Sequence, residues 1–151
     1  ILLYNYIKGH TWSHDVETVS ELLTRIRKHK YPKGLRILSH LPSDIKQTGL
    51  EIINKLNNYH KNKLIKICPD VSISDIKPVL LHTDVVPGNL ILGEKGLRLI
   101  DWQCPAIGDP IVDIMMFLSP GMHEIYGSGK LSIKDQEKFS NEPYTQIAKS
   151  V

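Results

Sequence analysis

Two short apolar runs, Leu90-Ile91-Leu92 and Leu97-Arg98-Leu99-Ile100, flank Gly93-Glu94-Lys95-Gly96. That arrangement reads as a β-hairpin, because glycines and a polar pair suit a tight reversal between strands. A further apolar run, Pro78-Val79-Leu80-Leu81, has strand length and precedes the hairpin. Between them lies a polar loop, residues 82–89, with a Pro87-Gly88 turn signal. The loop carries Asp84 and Asn89, and the second hairpin strand runs into Asp101. Three oxygen-bearing side chains are thereby directed to one end of a small sheet.

The chemistry follows from the donor types. One carboxylate and one neutral amide oxygen suit Mg²⁺, which takes hard oxygen ligands and keeps waters or phosphate oxygens. The other carboxylate is left to orient a hydroxyl and accept its proton. A positioned cation, shielded phosphate charge and a placed nucleophile are the parts of a phosphoryl-transfer site. Taken singly, Asp84 and Asn89 read as turn residues and Asp101 as a cap; the joint spacing carries the signal.

The pattern His82-x-Asp84-x₄-Asn89, then Ile100-Asp101-Trp102, then Gly108-Asp109-Pro110-Ile111-Val112-Asp113 resembles the aminoglycoside phosphotransferase and choline kinase-like family. The resemblance implies an α+β, protein-kinase-like fold, of which this chain would be the mostly helical C-terminal lobe, with a small hairpin carrying the catalytic and metal loops. It implies Asp84 as catalytic base, Asn89 and Asp101 as Mg²⁺ ligands, and ATP as phosphoryl donor to a hydroxyl of a small molecule. His82 and Asp109 would be supporting residues. Many members carry a second histidine where this chain has Val86. On its own residues, Asp109 reads as a helix N-cap ahead of Pro110, and Asp113 as a first-turn carboxylate favoured by the helix dipole.

The same resemblance makes residues 1–7 a hinge strand whose backbone, at Tyr4, Asn5 and Tyr6, meets the adenine. The nucleotide-binding N-terminal lobe then lies outside the chain, which otherwise reads as a single domain. A plain core strand is the competing reading of that segment. Two other classes compete for the whole. One is a truncated or pseudokinase-like module that binds without catalysis. The other is a metal-dependent hydrolase built on His82 and Asp84, disfavoured because the remaining histidines are scattered.

Elsewhere Asp15 reads as an N-cap for a helix whose Val16, Val19, Leu22, Leu23 and Ile26 share one face. Its basic end, Arg25 to Lys30, reads as a solvated helix terminus. A second helix is expected from Ser43 or Asp44 to His60, closed by Lys61-Asn62-Lys63. Ile111, Ile114, Met115 and Leu118 predict a helix with its methionines in the core, ended by Pro120-Gly121. Ser132 to Phe139 predicts a short capped helix. The net charge of +3 suits an anionic nucleotide but is too small to argue for nucleic acid. No apolar run approaches membrane-spanning length. Cys68 and Cys104 match no metal spacing and read as buried free thiols, which suggests a reducing, cytoplasmic setting. The acceptor and the oligomeric state are not legible.

Overall fold

The computed structural model describes residues 6–38, 42–56, 60–68, 77–126 and 129–141. Among them two small three-stranded sheets are set among helices, the expected α+β architecture with more helix than strand. One sheet has the order β1-β4-β5, from His10–Thr11, Leu90–Gly93 and Gly96–Leu99. The other has the order β2-β6-β3, from Arg36–Ile37, Ala106–Gly108 and Val79–Leu81. The hairpin forms as its sequence requires: Leu90 pairs with Leu99 and Gly93 with Gly96, whose φ of 89° no side-chain-bearing residue adopts cheaply.

Helix α1, Val16–Lys28, begins where the sequence predicts. The Asp15 carboxylate accepts from the backbone N–H groups of Glu17 and Thr18, satisfying donors that the first turn leaves open. Its apolar stripe enters a core with Trp12, Val85, Leu90, Leu97 and Leu99. Phe117 of α4, Ile111–Leu118, and Phe139 of α6, Ile133–Asn141, close this core at a ring separation of 4.8 Å. Ser132 caps α6: its hydroxyl accepts from the Asp135 N–H, as the sequence predicts. Lys138 and Glu17 form an ion pair between α6 and α1.

Several expectations are corrected. Tyr4 and Asn5 lie outside the described residues, and Tyr6 and Ile7 carry no strand. Among the described residues pairing begins at His10, just past a crossing that only glycines permit. A Cβ on Gly9 would sit 2.5 Å from the Leu92 carbonyl oxygen, and one on Gly93 would sit 2.6 Å from that of Lys8. The long second helix is two helices, α2, Pro42–Lys55, and α3, Lys61–Ile67. Lys61 therefore opens a helix rather than closing one. Pro120 begins α5, Pro120–Ile125, because proline fits a first helical turn, where its missing N–H costs nothing. Met115 is 59% exposed, so it lies outside the core. Cys104 is also exposed, since it follows Asp101-Trp102-Gln103 in a surface bend; both cysteines are free. Strand β6 has no counterpart in the sequence reading.

Candidate active site

Strand β3 delivers His82 into the polar loop. Thr83 follows with φ 70°, a left-handed conformation that is costly for a β-branched residue. Its backbone is held by α4. The two carboxylate oxygens of Asp113 accept from the His82 N–H at 3.0 Å and the Thr83 N–H at 2.7 Å. Sequence reasoning had Asp113 serving only the helix dipole. The available signal was its position: it is buried beside Ile114 on the packed face of α4, where a carboxylate needs partners. Burial pushes its carboxyl up to about 6, with the two backbone N–H groups opposing that rise.

The loop then closes on itself. Residues Pro87–Asn89 form a 3₁₀ turn in which the Asn89 N–H donates to the Val86 carbonyl at 2.9 Å. The Asn89 amide nitrogen donates to the Asp84 carbonyl at 3.0 Å and to Asp84 Oδ2 at 2.9 Å. This orientation leaves the Asn89 amide oxygen as its remaining acceptor. The Asn89 carbonyl in turn accepts from the Ile100 N–H at 2.9 Å, which fastens the loop to the end of β5. Asp101 is the next residue and is exposed, with φ 64°.

His82 is the second fastening. Its Nε2 lies 2.9 Å from the Ile100 carbonyl, so that nitrogen carries the proton and donates. The Trp102 ring meets the imidazole edge-on at 4.6 Å, and the Trp102 indole N–H donates to the Leu99 carbonyl. Burial lowers the His82 pKa, against the Ile100 and Asp84 carbonyls and the charges of Asp84 and Asp101, which favour the cation. Its Nδ1 is buried without a hydrogen bond of acceptable geometry, although the Asp84 carbonyl lies close enough to act on the ring. The bonds from Ile100 to His82 and to Asn89 hold the residue before Asp101 against the loop that carries Asp84.

Further supports lie around this centre. The Arg36 guanidinium donates to Thr83 Oγ1 and to the Cys104 carbonyl, and the Thr83 hydroxyl donates to that carbonyl at 2.8 Å. Asp109 is buried, and its Oδ1 accepts from the Ile111 N–H at 2.8 Å, the capping role read from its residues. Tyr126 at the end of α5 covers Gly88, where an added Cβ would lie 2.5 Å from the ring. Gly88→Ala is therefore expected to displace that half-exposed ring and to cost about 1 kcal/mol in thermal unfolding. The cost should vanish in a Tyr126→Ala background; if it persists there, the contact is not its cause.

Residues 38–129 match the model of APH, the phosphotransferase enzyme family. The match covers more than half of the chain, and the protein belongs to that family. The fold is also similar to a solved structure of spectinomycin phosphotransferase in complex with ADP and spectinomycin. That likeness has a TM-score of 0.55 at 17% sequence identity and covers 95% of this chain. The chain spans 56% of that protein's chain. No curated protein matches it.

Proposed function

We propose that this chain is the catalytic-loop portion of an ATP-dependent phosphotransferase acting on a hydroxyl of a small molecule. The observation that carries the reading is the Asp84–Asn89 clamp fastened to the residue before Asp101. Asp84, held by the Asn89 amide on one oxygen, would orient the acceptor hydroxyl and take its proton. The solved relative's complex with ADP supports a nucleotide as the other ligand. Tyr4, Asn5 and Tyr6 would meet the adenine through their backbone.

The donor set fits Mg²⁺. Among the described residues no three His, Cys, Asp or Glu side chains are grouped to hold a metal. A cation here would have one carboxylate, Asp101, and one amide oxygen, Asn89, with waters and phosphates completing its shell. When bound, it would shield phosphate charge at the site. His82, fastened to the Ile100 carbonyl, would support the two loops. Among the described residues no helix is long and apolar enough to cross a membrane. This is compatible with the cytoplasmic location that the reading assigns.

Calorimetric titration with ADP tests the assignment. Binding is expected to require Mg²⁺ and to weaken about tenfold or more in Asp101→Asn, since a direct ligand is lost. Affinity that ignores both the cation and the substitution would sink the metal assignment. Failure to bind nucleotide at all would favour the non-catalytic reading.

A further inference from the structure

An open cavity of about 650 Å³ lies where the C-terminal end of α1 meets the start of β3. It is lined by Arg27, Lys28 and Lys30 from one side and Lys77 from the other, with Tyr31 and Pro110 among its other walls. Val79 also lines it, so it sits at the opposite end of β3 from His82 and the Asp84 loop.

The helix dipole accounts for only part of this charge. Arg25, Arg27 and Lys28 fall in the last turn of α1, where cations face the open carbonyls. Lys30 lies beyond the helix, and Lys77 arrives from a separate segment; neither is called for by the helix end. The lining includes three lysines, Lys28, Lys30 and Lys77, and no acidic residue. Beside it, Asp109 has turned its carboxylate to the Ile111 N–H. Like charges gathered on a concave wall repel one another and focus a positive potential into the space between them.

We propose that this cavity binds a compact, multiply charged oxyanion of the di- or triphosphate class, at a site separate from the Asp84–Asp101 loops. The lysine ammonium groups of Lys28, Lys30 and Lys77, with the Tyr31 hydroxyl beside them, supply charge-assisted donors to its oxygens. The small net charge of the chain and the limited volume of the cavity select a compact anion over a polymer.

The test is an amide chemical-shift titration of the full chain with sodium pyrophosphate, at fixed ionic strength, with EDTA present. The chelator removes divalent cations, so the result is independent of the proposed metal site and of the function assigned above. Saturable shifts are expected at residues 27–31, Lys77 and Val79. The double variant Lys30→Glu/Lys77→Glu should raise the Kd about tenfold or more while keeping a dispersed, folded spectrum. No saturable shift at those amides, or shifts undiminished in the variant, would overturn the site. Displacement of pyrophosphate by a short oligonucleotide at lower phosphate concentration would overturn the compact-anion assignment.

Discussion

Replacing Asp84 with asparagine is expected to lower kcat about 10²–10⁴-fold, the usual contribution of a positioned general base. The KM for ATP should change little, because the lost interaction belongs to the acceptor's proton and not to nucleotide binding. The fold should survive. Asp84 is half-buried, and its side chain accepts one hydrogen bond, from the Asn89 amide nitrogen. An asparagine can still present an oxygen to that nitrogen, so the loop keeps its closure while losing basicity. A melting temperature close to wild type with collapsed turnover is the expected pair of results. Normal ATP-dependent phosphorylation by the variant would remove Asp84 from the chemistry. A collapse of both fold and turnover would make it a structural residue.

Asn89 occupies a different position in this scheme. Its amide nitrogen ties down Asp84, its backbone ties down Ile100, and its amide oxygen remains as an acceptor. One residue therefore links Asp84 to the strand that leads to Asp101. A side chain with a donor and an acceptor on one planar group can do both jobs, which an aspartate at this position could not.

Much of this was legible because it depends on local rules. The hairpin rests on glycines flanking a polar pair, and the caps on Asp15 and Ser132 placed just before periodic apolar runs. The grouping of Asp84, Asn89 and Asp101 was legible because one loop and one hairpin bring them together without long-range pairing. What was not legible depends on distant partners. Strand β6 is three residues, Ala106–Gly108, and is a strand because β2 and β3 pair with it from either side. The start of β1 depends on the close passage of Gly9 against Leu92, far along the chain. Nothing in the sequence singles out Arg36, whose guanidinium reaches Thr83 and Cys104.

Asp113 was visible as part of a motif, but its partners were not, and they make it the most informative residue to change. In the folded protein its carboxyl is raised from its ordinary 3.8 to about 6. Between those values the unfolded chain releases a proton that the folded protein retains. Stability contributed by this group is therefore present below the lower value and is lost as pH rises through the higher one. The loss amounts to about 3 kcal/mol, at 1.36 kcal/mol per pH unit. Asp113→Asn removes that titration and keeps the shape, although its NH₂ must face one of the two backbone donors. The stability difference between variant and wild type is thus expected to move about 3 kcal/mol in the variant's favour between about pH 3 and about pH 7. Over the same change kcat should fall on the order of 10²-fold, because His82 or Thr83 loses its anchor and Asp84 rides on both. Urea titrations across the pH range, paired with turnover assays at neutral pH, check both halves. A stability difference that stays flat with pH would mean that Asp113 is not held at a raised value. Unchanged turnover would mean that the loop keeps its place without it.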